Sequence, residues 1–272
     1  MAKSVRRLIN SVNYRLINPI FGRNARQRCA KIDFEKAHRS QFRNLRGVHT
    51  LQETAEMFVG GEFVSVGTLL RDTLIHYGLK PNHYLIDVGC GSGRLAKPLS
   101  QYLKGKYLGI DVVPELVDYA RTLVAKQDWR FEVAKGLTIP EQDRQADIVC
   151  FFSVLTHLLH EESYLYLLEA KRVLKPGGKI VASFLDFKID AHWSVFEDNL
   201  KDVGIGEKPL NVFMSADLMQ KWAKHLDLEV EAIKDGDEKH ILLSQPITFS
   251  SGETVEGTSA FGQSLCVLVR KP

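Results

Sequence analysis

The residues able to do chemistry gather in the stretch "LIDVGCGSGRL", Leu85 to Leu95, and at two later positions, Asp111 and His157. Apolar residues around Asp87 are followed by glycine at every second position, Gly89, Gly91 and Gly93. A strand that ends in Gly-x-Gly-x-Gly and runs into a helix brings bare backbone amides and the positive helix end to whatever binds at the carboxyl edge of a sheet. A tight turn alone explains one such glycine or two, but not three in register with a downstream acid. Spacing then sorts the ligands. A dinucleotide fingerprint places its third glycine at position 94, where this chain has Arg94, and no Gly-Lys-Ser/Thr follows to make a triphosphate loop.

These residues need a scaffold, and the surrounding pattern supplies one. Apolar runs at Tyr84–Val88, Tyr107–Ile110, Ile148–Phe152 and Ile180–Phe184 alternate with amphipathic segments such as Leu95/Leu99/Leu103 and Leu116/Ala120/Leu123/Val124. The alternation predicts an α/β fold with a parallel, doubly wound sheet. Ahead of it, two helices are expected between Val48 and Pro81, separated by Gly60-Gly61. Behind it come a helix near Ala216–Leu226 and strands at Leu228–Ile233 and Leu265–Val269. The long polar stretch before the last strand predicts an elaboration over the sheet edge. "LKPGG", Leu174 to Gly178, reads as a turn into the fifth strand.

Composition is that of an ordinary globular protein, 44% hydrophobic and 25% charged, without an apolar run near the ~18 residues that cross a bilayer. Four cysteines stand apart from one another with no Cys/His cluster, so neither a disulfide framework nor a metal site is expected, and a cytoplasmic location fits. The net charge of +3 conceals an asymmetry: residues 1–47 hold twelve Lys/Arg against Asp33 and Glu35. Within this basic arm Val5, Leu8, Ile9, Val12 and Leu16 recur at helical spacing. Such a helix suits packing on the body, contact with an anionic membrane, contact with nucleic acid or a transit peptide. The chain therefore divides into an arm, residues 1–47, and a body, residues 48–272.

The combination resembles the class I S-adenosylmethionine-dependent methyltransferases. Asp87-x-Gly89-x-Gly91-x-Gly93 is similar to their glycine motif and "YLGID", Tyr107 to Asp111, to their second strand with its ribose-binding acid. "ADIVCFFSVLTHL" and "LLEAKRVLKPGGKIVASF" continue the likeness to Phe184. The resemblance implies a Rossmann-like, mostly parallel seven-stranded sheet with an antiparallel last strand, preceded by an N-terminal helical extension. It implies S-adenosylmethionine as cofactor, with Gly89, Cys90, Gly91 and Gly93 facing its methionine part, Asp87 anchoring the turn, Asp111 accepting from the ribose hydroxyls and Val112 flanking the adenine. Many relatives have an acid where this chain has Lys135; here the backbone near Gly136 and Leu137 would read the adenine. Phe152 and Ser153 would lie by the reacting methyl.

Methyl transfer from a sulfonium is an in-line displacement that asks mainly for alignment and exclusion of water. A base helps where the acceptor is a hydroxyl or ammonium, and His157 is the candidate, against an ordinary packing role. His192 and Trp193, with Phe196 and Phe213, are candidates for the acceptor pocket, or for a small satellite core. The expected acceptor is a small molecule, a sugar or a lipid-linked glycan, with peripheral membrane contact through the arm. The alternatives are an RNA methyltransferase, disfavoured because "FFSV" replaces the Asn/Asp-Pro-Pro-aromatic motif of base-amino methylation, and a non-catalytic cofactor-binding relative, suggested by Lys135.

Overall fold

A strand buried on both faces reads as an unbroken apolar run, and β1 (Leu85–Val88) is buried at every position. In a computed structural model, which describes residues 34–60, 62–202 and 211–272, β1 pairs in parallel with β2 (Tyr107–Asp111) and with β4 (Ala146–Phe151). β3 (Arg130–Val133) extends the sheet beyond β2, and β5 (Leu174–Asp186) beyond β4. The short β6 (Phe213–Met214) leans on the end of β5. β7 (Leu228–Lys234) and β12 (Ser264–Arg270) complete the order β3-β2-β1-β4-β5-β12-β7, with β12 antiparallel to both its neighbours. This is the mostly parallel, seven-stranded, doubly wound sheet implied by the sequence. "LKPGG" lies inside β5, because Leu174 already registers on Ala146 before an irregularity near Asp147 shifts the pairing.

Eight helices among the described residues flank the sheet: α1 (Phe34–Arg46), α2 (Leu51–Phe58), α3 (Phe63–His76), α4 (Ala96–Tyr102), α5 (Pro114–Val124), α6 (His160–Val173), α7 (Asp190–Asp202) and α8 (Ala216–His225). Local chemistry sets several of their starts. The side chain of Thr50 accepts from the Glu53 amide while Glu53 accepts from the Thr50 amide, a reciprocal cap on α2. Pro114 opens α5, where its missing N–H costs nothing. Strand alternation then splits the core in two. Leu85, Ile148 and Val181 pack with α3, α4 and α5 on one face, and Ile86, Val149 and Ile180 pack with α6 and α8 on the other.

The polar stretch between β7 and β12 folds as two short ladders, β8 (Ile241–Leu242) with β11 (Thr258–Ser259) and β9 (Ile247–Thr248) with β10 (Thr254–Val255). It lies against α3. Ile241, Leu243 and Ile247 join the core beside Leu70 and Leu74, and buried Asp72 accepts from the Ser244 amide at 2.8 Å. α1 also belongs to this body: Phe42 is buried with Ala55, Val113 and Leu116. The stretch Val5 to Leu16, on which the readings of the basic arm rest, lies outside the described residues.

Candidate functional site

The chain leaves β1 through Gly89 at φ +75° and Gly91 at φ +52°, a backbone conformation that side chains disfavour. Space is the second constraint. A Cβ on Gly89 would overlap Val154 Cγ2, and one on Gly91 would lie 2.8 Å from Val59 Cγ1. The bare backbone thus lets the residue after β4's exit and the residue after α2 close on the turn from two sides. The amides of Gly89 and Cys90 both donate to the Ile110 carbonyl, at 2.7 and 3.0 Å, which ties the turn to the end of β2.

Asp111 ends β2 beside that turn. One carboxylate oxygen accepts from the Gly91 amide at 3.0 Å and the other from the Val113 amide at 2.9 Å. Burial raises its pKa, opposed by those amides and by His38. Asp87 sits deeper: its carboxylate accepts from the Tyr107 hydroxyl at 2.7 Å and from the Cys150 thiol at 3.5 Å, inside the core. Burial pushes its pKa to about 6. Asp87 therefore braces β1 against β2 and β4, an anchoring position. The Cys90 side chain turns into the core, where burial raises its thiol pKa, so only its backbone borders the turn. Gly93 packs against Ala120 of α5.

α1 completes this region. Arg39 Nε donates to the Val112 carbonyl at 2.9 Å, and Val112 packs at the rim of the cluster around Phe42 and Phe58. His38 meets His157 edge to face, with ring centroids 4.9 Å apart. His157 closes a 3-10 turn, Leu155–His157, and its Nδ1 is buried without a hydrogen-bond partner among the described residues. Burial, helped by His38, pulls its pKa down to about 4, so the imidazole is neutral at pH 7. Lys135 is exposed, while Gly136, at φ +64°, has open space where a Cβ would stand, and Leu137 is partly buried against the core.

Phe152 is buried, its ring 5.3 Å from that of Phe261. Ser153 takes φ +57°, strained for a residue with a side chain. Its amide donates to Ser183 Oγ at 2.8 Å, Ser183 donates to Gln263 Oε1 at 2.7 Å, and Gln263 Nε2 donates back to Ser153 Oγ at 3.1 Å. His192 is held by the chain's own backbone. It is buried with both ring nitrogens engaged, Nδ1 accepting from the Asp186 amide at 3.0 Å and Nε2 donating to the Gly262 carbonyl at 2.8 Å, so it pins the end of β5 to the turn before β12. Trp193 is half exposed on α7, donates to Glu197 at 3.1 Å and lies among Phe187 and Phe196, the satellite cluster.

Sequence reasoning missed His38, Val59, Arg94 and Gln263, and counted Arg39 only as arm charge. The buried Phe42 within "FEKAHRSQFRNLR" was the available signal for α1. Gln263 left none, since it meets Ser153 from 110 residues away.

A glycine turn between β1 and its helix, an acid at the end of β2 and an antiparallel penultimate strand make a Rossmann-like sheet with a bare turn at its carboxyl edge. The methyltransferase-domain family matches residues 86–182. That match covers a central part of the chain, and the fold is similar to that of a solved S-adenosylmethionine-dependent methyltransferase of Methanosarcina mazei, with a TM-score of 0.52 at 16% identity over 73% of this chain and 97% of that one. The chain is 26% identical over 184 residues to the 27-O-demethylrifamycin SV methyltransferase of Amycolatopsis mediterranei, covering 66% of this chain and 64% of that one. It is 31% identical over 107 residues to a ubiquinone biosynthesis O-methyltransferase of Cereibacter sphaeroides, covering 38% and 41%. The chain thus spans less than two thirds of either relative. Its fold superposes on the magnesium protoporphyrin IX methyltransferase of Synechocystis, solved with bound S-adenosylhomocysteine, with a TM-score of 0.56 at 17% identity over 88% of this chain and 96% of that one.

The residues at the turn fit the family's cofactor. The Asp111 carboxylate is purely an acceptor when ionised, and two amides leave it lone pairs for two ribose hydroxyls. Open space at Gly136 and the unpartnered Nδ1 of His157 are further features a ligand would use.

Proposed function

We propose that the protein transfers the methyl group of S-adenosylmethionine to a small-molecule acceptor. The observation that carries this reading is Asp111, held by the Gly91 and Val113 amides with acceptor capacity to spare at the rim of the glycine turn. Bound there, the cofactor supplies an electrophilic methyl on a sulfonium. The chain's own task is alignment and dryness. The amides of Gly89 and Cys90 are committed to Ile110 and fix the turn, and Asp111 fixes the sugar. Val112 flanks the adenine, with the backbone of Gly136 and Leu137 reading its edge in place of an acid at Lys135. Phe152 and Ser153 border the reacting centre, with Val59 and Val154 closing it to water.

His157 is the candidate base, and its environment limits what it can do. An imidazole that releases its proton at about 4 is neutral at pH 7 but a weak base. It suits an acceptor already acidic or ionised better than an alcohol. A small-molecule acceptor is favoured because the two relatives above carry names for methylation of 27-O-demethylrifamycin SV and for ubiquinone biosynthesis. Calorimetry with S-adenosylhomocysteine tests the reading directly. Asp111→Ala removes two charge-assisted hydrogen bonds of about 1.5–3 kcal/mol each, so affinity should fall at least about 100-fold. Unchanged binding would remove Asp111 from the site. Labelled cofactor incubated with small-molecule, glycolipid and RNA fractions should mark the first.

A further inference from the structure

A cavity of about 420 Å³ opens beside the glycine turn, within the size range of small-molecule sites. Its walls are apolar: Leu69 and Leu70 from α3, with Phe249 and Phe261 from the segment between β7 and β12. Three polar side chains reach it, Arg94, Ser153 and Gln263. Arg94 ends the glycine turn and Ser153 follows β4, so the cavity meets the candidate site at the carboxyl edge of the sheet.

The polar lining is one-sided in its chemistry. Gln263 has its carbonyl occupied by Ser183 and one amide hydrogen by Ser153, which leaves its second N–H. Ser153 Oγ already accepts from Gln263, and its own proton finds no acceptor among the described residues. Arg94 brings positive charge, and its guanidinium donates to the Val59 carbonyl. Burial draws its pKa down to about 10 against the pull of Asp87, so it is cationic at neutral pH. Among the described residues no carboxylate lines the cavity. Donors and a cation in the lining of an otherwise apolar chamber complement an oxygen anion on an apolar body.

We infer that this cavity is the acceptor site and that it takes an apolar small molecule carrying an anionic oxygen group, a carboxylate or phenolate, turned toward Arg94, Ser153 and Gln263. The inference rests on the methyltransferase reading above and names the acceptor's class. It also accommodates the weak base at His157, since an anion needs no proton removed from it before it is held.

Titration calorimetry on the full chain saturated with S-adenosylhomocysteine tests this with 4-phenylbutyrate as the apolar anion and 4-phenylbutanol as its neutral counterpart. The carboxylate should bind at least about 10-fold more tightly than the alcohol. Gln263→Leu, which deletes a donor, and Ala260→Phe, which fills the chamber from its wall, should each weaken carboxylate binding about 10-fold or more while leaving S-adenosylhomocysteine affinity within about 2-fold. Equal binding of acid and alcohol overturns the inference, as does indifference to both variants. Competition between the carboxylate and S-adenosylhomocysteine, instead of joint binding, would assign Arg94 to the cofactor and also overturn it. Failure of S-adenosylhomocysteine to bind the wild-type chain at all would sink the underlying reading, and the inference with it.

Discussion

His157 offers a pH experiment whose sign is fixed by the structure. Its imidazole is buried, its Nδ1 has no partner among the described residues and His38 faces it at 4.9 Å, so the charged form is disfavoured and the folded pKa falls from 6.5 to about 4. A base depressed in this way is neutral in the folded state while the unfolded chain takes up a proton. Stability from this group is therefore complete above pH 6.5 and is lost as pH falls toward 4. At about 1.36 kcal/mol per tenfold change in proton affinity, the full loss approaches about 3 kcal/mol. The perturbation is His157→Gln, which keeps a polar side chain and removes the titration. Urea unfolding of wild type and variant across pH 4 to 8 gives two curves, and groups common to both cancel in their difference. That difference should be flat above pH 7 and move in the variant's favour by about 3 kcal/mol by pH 4. Parallel curves would refute the burial argument and restore His157 as an ordinary base.

Three further outcomes follow from the same geometry. Asp87 has the opposite sign: with a folded pKa of about 6 against an ordinary 3.8, the folded state holds the proton more tightly, so its contribution is full below 3.8 and lost as pH rises through 6. Asp87→Asn should flatten that slope, worth about 3 kcal/mol between pH 4 and 7 by unfolding titration. Gly89→Ala should destabilise by about 2 kcal/mol or more, from the positive φ and from overlap with Val154. Adding Val154→Ala should recover the steric part alone, and full recovery or none would separate the two causes.

What could be read from the sequence follows the range of the interactions. β1, β2, β4 and the glycine turn were legible because each is local: an apolar run, then residues whose φ excludes side chains. Asp111 was legible because "YLGID", Tyr107 to Asp111, resembles the second strand of the methyltransferases, with the acid next after the apolar run. The cavity was not. Arg94, Ser153 and Gln263 are joined only when β12 inserts antiparallel beside β5, which brings Gln263 to Ser183 across 80 residues. His192 misled for a related reason. A loop histidine near a carboxyl edge resembles a ligand contact, and only the folded structure reveals two backbone groups occupying its ring.

α1 exposes a limit of reading charge before periodicity, and it can be tested. Its arginines suggest an arm, yet Phe42 is buried at 1% exposure and Arg39 donates to the Val112 carbonyl, so the helix is fastened where β2 gives way to α5. Phe42→Ala should cost about 3–5 kcal/mol if the helix is part of the core, and a few tenths if it is a solvated arm. The consequence should spread, because α1 also carries His38. A loosened helix hydrates His157 and removes the neighbouring ring, so the His157 pKa should climb from about 4 toward 6.5, readable by NMR titration of the imidazole. A large stability loss with an unmoved His157 would mean that the pocket, and not α1, sets the proton affinity of that ring.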